Sequence, residues 1–179
     1  MSQMVKTACV TLLLVALTCL PAFADAADFE NATFGMTRAE VIAAHPDKNI
    51  KDDGGTLWYG SMESLSGEST SFSFSEAGRF YIGAYIVYDT LDKSDQHLEQ
   101  FRKIKDLATQ KYGAPLADKE TWHDETFKDM PDLYGMAVAS GALEYAVYYK
   151  SGDTIISIEL KGQNYGPHFT MMYIDSSAY

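Results

Sequence analysis

Apolar residues recur at intervals of three and four between residues 94 and 115, the spacing that places side chains on one side of an α-helix. Ser94 can cap the first turn, Gly113 suits a left-handed C-cap, and Pro115 cannot continue the helix. The pattern therefore predicts an amphipathic helix with one surface to cover. Its apolar stripe consists of Leu98, Phe101, Ile104, Ala108 and Tyr112.

A second, shorter helix is predicted near residue 40. Thr37 and Glu40 have the S/T-x-x-E spacing of a capping box, in which each side chain bonds to the backbone of the other residue. The helix is expected to end before Pro46, because the residue preceding a proline avoids the helical region. Residues 47–55 are polar and end in the predicted turn Asp52-Asp53-Gly54-Gly55.

Alternation of apolar and polar residues predicts strands on both sides of the long helix. Phe72 and Phe74 alternate with serines, which is typical of a sheet with one buried face. The predicted strands lie at residues 28–34, 56–65, 69–76, 79–90, 120–127, 133–139, 142–150, 154–162 and 168–175. The sequence therefore predicts an α+β fold, in which one antiparallel sheet, or two, carries two main helices packed on one face.

The alternation also predicts which side of each strand faces the helices. In strand 79–90 we expect the helix side to hold Phe80, Ile82, Ala84 and Ile86, and the open side to hold Arg79, Tyr81 and Tyr85. In strands 142–150 and 154–162 the open side is predicted to hold Glu144, Tyr148, Lys150, Ser157, Glu159 and Lys161. Such a Tyr/Ser-rich face is typical of a partner-binding surface. The ordinary solvated side of a one-sided sheet explains the same pattern.

The two halves of the chain resemble each other. Each has a helix that ends at a proline, a tryptophan-bearing strand (Trp58 or Trp122) and an aromatic hairpin. We therefore predict a single domain, residues 25–179, with a helix-plus-strands unit repeated at about 29–90 and 94–175. Chance recurrence among tyrosine-rich strands explains the match equally well.

Residues 1–24 have the layout of a secretory signal peptide, with a positive residue, an apolar run and the small-x-small site Ala22-Phe23-Ala24. Cleavage is expected after Ala24 or Ala26. The apolar run is too short to span a bilayer, and no later segment resembles a spanning helix. The residues before Cys19 match a lipobox poorly, so the sequence predicts a periplasmic or secreted protein rather than a lipoprotein.

Cysteine usage and charge narrow the range of partners. Cys9 and Cys19 both lie in the predicted signal peptide, so the mature domain is expected to have no disulfide. The net charge of −11 repels nucleic acid. The basic run at residues 102–105 belongs to the solvated side of the long helix. We therefore expect no nucleic-acid partner.

The sequence lacks the patterns typical of catalytic sites. It has no Gly-x-Ser-x-Gly elbow, Walker loop or His-Glu-x-x-His motif. His123 and Glu125 could share one strand face as two metal ligands, but no third ligand is identifiable. The turn at residues 52–55 lacks the spacing of a calcium loop. We therefore expect no enzymatic activity, no cofactor and no metal site.

Phe34-Gly35-Met36-Thr37-x-x-Glu40-Val41 resembles the G-M-T-x-x-E-V segment of small bacterial envelope proteins of the SmpA/OmlA type. The duplicated helix-plus-sheet plan is similar to the β-lactamase inhibitor protein fold. Residues 111–115 resemble the Lys-Tyr-Gly-x-Pro helix ending of uncharacterised exported bacterial proteins. The resemblance implies a non-enzymatic α+β protein of the cell envelope that binds a partner.

Three hypotheses for the function follow. The first is a periplasmic interaction module that holds a protein or an extended chain segment on the open sheet face. Its candidate partner-binding residues are Trp58, Tyr81, Tyr85, Trp122 and Tyr148. The second is a small-ligand-binding protein with a pocket between helix and sheet. The third is an enzyme of unknown class, for which convergent carboxylates with perturbed pKa values would be the sign.

Overall fold

One eight-stranded sheet forms the centre of the computed structural model, which describes residues 28–61, 67–89, 93–163 and 166–178. The predicted signal peptide and both cysteines lie outside these residues. Every neighbouring pair of strands is antiparallel, and the order across the sheet is β1-β2-β3-β4-β8-β7-β6-β5. The strands are β1 (Lys51–Asp52), β2 (Thr56–Gly60), β3 (Gly67–Phe74), β4 (Phe80–Tyr88), β5 (Ala117–Trp122), β6 (Leu143–Ser151), β7 (Thr154–Gln163) and β8 (Gly166–Asp175).

The described residues also form three α-helices and three short 3₁₀ turns. The helices are α1 (Arg38–Ala44), α2 (Ser94–Tyr112) and α3 (Tyr134–Ala139). The 3₁₀ turns are Glu125–Phe127, Pro131–Leu133 and Ser176–Ala178. Helices and one antiparallel sheet together make an α+β fold, as the sequence predicts.

The ends of the two main helices follow the sequence signals closely. Glu40 Oε2 accepts a hydrogen bond from the Thr37 backbone N–H at 2.7 Å, and the Thr37 hydroxyl oxygen accepts from the Glu40 N–H, so the capping box is confirmed. Gly113 ends α2 at φ 83°, a conformation that favours glycine. The prediction that Ser94 caps α2 is wrong, because the cap is Lys93 and Ser94 is buried inside the first turn.

Two segments predicted to be strands adopt other structures, and the strand predicted at residues 120–127 ends at Trp122 and is followed by the 3₁₀ turn Glu125–Phe127. Residues 134–139 are the helix α3, because a short apolar run fits a buried helix as well as a buried strand. Residues 28–34 form a turn in which Phe29 and Ala32 exchange backbone hydrogen bonds of 3.1 and 2.9 Å, with Glu30 at φ 53°. The polar connection before β2 also contributes the short edge strand β1.

All three helices pack on one side of the sheet, as predicted. α2 buries its stripe against the second half of the sheet, where the ring centroid of Phe101 lies 5.4 Å from that of Tyr145. α1 covers the first half through the fully buried Val41, and the His45 ring at its end lies 4.9 Å from Phe72. One apolar cluster therefore runs beneath the helices across both halves of the sheet.

The predicted face of β4 is wrong beyond its first residue. Phe80 pairs with Phe74, but Ile82 pairs with Ser73, so Tyr81 is the extra residue of a β-bulge. A one-residue shift moves every later side chain to the opposite face. Tyr85 therefore lies in the core on the helix side. The side of β4 that the sequence predicts to be buried instead faces away from the helices. The open side of β4 holds Ile82, Ala84 and Ile86.

Phe29 fills the space between the first-half and second-half helices. Its ring packs against Tyr85 and Tyr173, with centroid separations of 4.7 and 5.5 Å. Beneath the ring lies Gly83, where an added Cβ would come within 2.2 Å of the ring atoms of Phe29. Because residue 83 has no side chain, the turn at residues 28–34 can pack against the sheet and complete the core.

The strand order is symmetrical about the central pair β4–β8. Each half contributes four consecutive strands, and the last strand of one half pairs with the last strand of the other. This arrangement accommodates the predicted repeats at 29–90 and 94–175. Common descent of the two halves stays a prediction.

Candidate functional site

The side of the sheet opposite the helices, called here the open face, carries a continuous row of side chains across all eight strands. Each member of the row is the register partner of the next, so all of them lie on the same side of the sheet. No helix of the described residues packs on this side. In order across the sheet the row is Lys51, Trp58, Ser71, Ala84, Met172, Ser157, Tyr148 and Ala117.

Aromatic side chains flank the middle of this row. Trp58 and Tyr148 are both half-buried, and the residues between them are mostly small. The two aromatic residues are five strand spacings apart, or about 24 Å at the usual inter-strand distance. Ala84 and Ser157 between them are nearly fully buried. The row therefore forms a shallow trough with an aromatic residue near each end.

Each aromatic residue of the trough carries a lysine over its ring. Lys51 Nζ lies 4.5 Å from the Trp58 centroid, and Lys119 Nζ lies 5.7 Å from the Tyr148 centroid. Such cation–π contacts hold a positive charge next to an apolar surface. A partner that contacts either ring will therefore also meet a cation.

Beside the trough the open face is aliphatic at one end of the strands and polar at the other. Ile82, Ile174 and Ile155 are neighbours on β4, β8 and β7, and all three are half-buried. On the other side of the trough lies a second row, from β3 to β5. That row consists of Ser69, Ile86, Thr170, Glu159, Ala146 and Lys119.

A recess of about 180 Å³ opens on this face above Ala146. Ala146 pairs with Lys119 on one side and Glu159 on the other, and its small side chain leaves the recess empty. The remaining side chains at its rim come from β5, β6 and β7. They are Thr121, Glu144, Tyr148 and Lys161.

His168 is buried on the open face next to the second row. Its ring stacks on Tyr88 at a centroid distance of 4.4 Å, and its Nε2 lies 3.2 Å from the Thr170 hydroxyl. Burial and, to a smaller extent, the positive charge of Lys161 lower the pKa of His168 to about 4, although the negative charge of Glu159 acts in the opposite direction. His168 is therefore neutral in the folded protein near neutral pH.

Acidification is expected to destabilise the protein through His168. The unfolded chain binds a proton at this residue near pH 6.5, whereas the folded chain resists it until about pH 4, so stability falls between these values. We expect a loss on the order of 1–2 kcal/mol, measured by urea unfolding at pH 7 and pH 4.5. His168→Gln should reduce this loss of stability on acidification, whereas the same substitution at the exposed His123 should leave it unchanged. An equal pH dependence in wild type and His168→Gln would contradict this assignment.

The five residues predicted to bind a partner do not all lie on the same side of the sheet. Trp58 and Tyr148 lie on the open face, in the same row. Tyr85 does not, because it is only 7% exposed and donates a hydrogen bond of 2.8 Å to Glu30 on the helix side. Trp122 lies on the helix side at the sheet edge, and Tyr81 is the extra residue of the bulge.

Trp122 has its own partners on the helix side. Its ring packs edge-on against Tyr134 at 5.2 Å, and its Nε1–H donates to Glu120 at 2.8 Å. Trp122 and Trp58 therefore lie on opposite sides of the sheet, and the partner-binding role of Trp122 stays a prediction. The residues that sequence reasoning missed are Lys51, Lys119 and Met172, because only the register of the strands brings them to the trough.

The two metal ligands considered from the sequence have different partners. His123 Nε2 lies 3.3 Å from Glu144, and Glu125 accepts a hydrogen bond of 2.7 Å from Lys128. In the part of the chain that the structure describes, no three acidic, histidine or cysteine side chains come together as a metal site would require.

The space between helices and sheet, where a small-ligand pocket was predicted, is occupied by large side chains. Phe72, Phe101, Tyr149 and Leu160 are all fully or almost fully buried there. The recess above Ala146 lies on the opposite face of the sheet.

Comparisons with known proteins leave the function to be argued from the site. No family model and no curated protein matches the chain. Among solved structures the chain is similar to the crystal structure of a DUF4309 family protein (YjgB) from Bacillus subtilis subsp. subtilis str. 168, with 12% sequence identity and a TM-score of 0.37. The match covers 90% of this chain and 92% of that chain.

None of the helices in the described ranges combines the length and the apolar character that crossing a bilayer requires.

Proposed function

We propose that this protein is a non-enzymatic interaction module of the cell envelope that holds a segment of another protein across its open sheet face. The trough between Trp58 and Tyr148 carries the proposal. Tryptophan and tyrosine are the residues that most often dominate binding energy at protein interfaces. The predicted signal peptide and the resemblance to SmpA/OmlA-type proteins support a location in the envelope.

The floor of the trough supports contact with an extended segment. Ser71, Ala84 and Ser157 are small, so a partner can approach the sheet closely between the two aromatic residues. The half-buried isoleucines on one side of the trough offer apolar contacts, and Glu159 and Lys119 of the second row offer polar ones. A span of about 24 Å accommodates about seven residues of extended chain.

Pairing along a strand edge is a less favourable mode of binding. β1 has only two residues, and the other edge strand, β5, presents the exposed Asp118, Lys119 and Glu120. Short and charged edges are devices that prevent added strands. The face therefore offers a better surface than the edges.

A photo-crosslinking amino acid placed at residue 155 tests this proposal. Position 155 lies on the open face, and the exposed position 99 on α2 provides the matched control. We expect adducts to one protein from position 155 and none from position 99, read by mass spectrometry. Trp58→Ala or Tyr148→Ala should reduce the yield about tenfold while the melting temperature changes little.

Trp122→Ala is the matched control for loss of an aromatic ring, because Trp122 lies on the other side of the sheet. It should leave the adduct from position 155 intact. Adducts of equal yield from positions 155 and 99 would contradict the proposal. So would a yield from position 155 that neither Trp58→Ala nor Tyr148→Ala lowers. Absence of any protein adduct would favour a second function, binding of a small ligand in the recess above Ala146.

A further inference from the structure

We infer that the segment held on the open face is acidic, and that one of its carboxylates occupies the recess above Ala146 beside Lys119. This inference rests on the proposed function and specifies the chemistry of the partner. It follows from the charge of the open face, the pairing of the charged groups at the recess and the apolar surface on the other side of the trough.

The open face is positive although the whole chain is strongly negative. Its described residues include four lysines and two acids, which leaves an excess of two positive charges. The chain as a whole has 25 acidic residues against 14 lysines and arginines. An acidic segment is therefore attracted to this face and repelled by the rest of the molecule. The charged residues of the face are Lys51, Lys119, Lys150, Lys161, Glu144 and Glu159.

Both glutamates at the recess have partners among the described residues, whereas Lys119 has no acidic partner among them. Glu159 accepts a hydrogen bond of 3.0 Å from the Ser157 hydroxyl and lies 3.5 Å from Lys161 Nζ. Glu144 lies 3.3 Å from His123. Lys119, by contrast, forms no ion pair with any described carboxylate and contacts the Tyr148 ring. Lys119 can therefore pair with a carboxylate that a partner brings to the recess.

The recess, with a volume of about 180 Å³, is large enough to hold an acidic side chain. Thr121, on the same strand as Lys119, also lines the recess, and its hydroxyl group can act as a second donor. A carboxylate held by an ammonium and a hydroxyl forms charge-assisted hydrogen bonds, which are stronger than neutral ones.

The open face favours an acidic polypeptide over a phosphate polyanion. Ile82, Ile155 and Ile174, on the far side of the trough from the recess, provide aliphatic contacts that apolar side chains of a peptide would cover. A nucleic acid needs many cations along its backbone, and this face has an excess of only two positive charges. The occupant is therefore a protein segment that alternates acidic and apolar residues.

Three fluorescent twelve-residue peptides test the inference by anisotropy at 0.15 M salt. All three alternate valine with a second residue, which is glutamate, glutamine or lysine. We expect the glutamate peptide to bind at least about tenfold more tightly than the glutamine peptide. Lys119→Gln should bring this ratio below about threefold without changing the affinity for the glutamine peptide. Lys150→Gln, the control on the same face but away from the recess, should leave the ratio intact.

Each alternative result has a distinct meaning. Equal binding of the glutamate and glutamine peptides, both lost in Trp58→Ala, would overturn the acidic partner and retain the interaction module. An equal effect of Lys119→Gln and Lys150→Gln would overturn the carboxylate in the recess. Tighter binding of a twelve-residue oligothymidylate than of the glutamate peptide would overturn the polypeptide assignment. Failure of every peptide to bind would count against both the inference and the proposed function.

Discussion

Truncation of Tyr85 to alanine is expected to lower the free energy of unfolding by about 3–5 kcal/mol, the range measured for large aromatic residues in protein cores. Its ring is buried against Phe29 and Tyr173, and its hydroxyl donates to Glu30. The void left by the ring would be bounded by these fixed rings and the sheet. Urea unfolding followed by circular dichroism measures the change.

Tyr148→Ala provides the matched comparison, because it removes the same side chain from the open face. Tyr148 is only half-buried, so its truncation should cost about 1 kcal/mol or less. Tyr85→Phe should cost about 1 kcal/mol, since it removes one hydrogen bond and keeps the ring. Similar losses in Tyr85→Ala and Tyr148→Ala would contradict the assignment of the two faces of β4 and β6.

Gly83→Ala is expected to destabilise the protein by about 1–3 kcal/mol or more, although it adds only one methyl group. That methyl would lie 2.2 Å from the Phe29 ring, far inside contact distance, and the Phe29 turn would have to move out of the core. Thermal and urea unfolding of the variant measure the loss.

A double-mutant cycle with Phe29→Ala tests the cause of that loss. Once the ring is gone, the added methyl group meets no obstacle, so Gly83→Ala should cost little in the Phe29→Ala background. The coupling between the two positions should therefore be on the order of 1–3 kcal/mol. Strict additivity would show that backbone conformation at residue 83, rather than the ring, requires glycine.

The parts of the fold that could be predicted from sequence are those governed by local chemistry. The stripe of α2 from Leu98 to Ala108 is buried as expected, and the capping box at Thr37 starts α1. In β6 and β7 the alternation identified the buried side correctly, with Val147 and Ile158 in the core. In each case neighbouring residues carry the information, so no knowledge of the rest of the chain is needed.

The errors arise where distant contacts override the local pattern. The alternation of β4 is shifted by a bulge opposite Ser73 and Phe74, and no single-strand pattern reveals a bulge in a pair. The buried side of β4 carries Gly83 because the distant Phe29 fills the space, so the core side lacks the bulky residue that alternation requires. The α3 segment from Tyr134 to Ala139 is apolar because it packs between α2 and the sheet.

The candidate site could be predicted only in part for the same reason. Tyr148 was correctly placed on the open face by alternation within its own strand. That Trp58 shares a row with Tyr148 depends on five successive pairings between strands from both halves of the chain. The lysine over each ring comes from the strand beside it, a relation that only the register defines.

The pairing of β4 with β8 determines when the sheet can close during synthesis. β4 is finished before α2 is made, but its second neighbour is the last strand of the described chain, so one edge of β4 stays open until all the other strands have emerged. An apolar strand with an open edge readily pairs with other chains. Chains stopped before residue 166 are expected to aggregate.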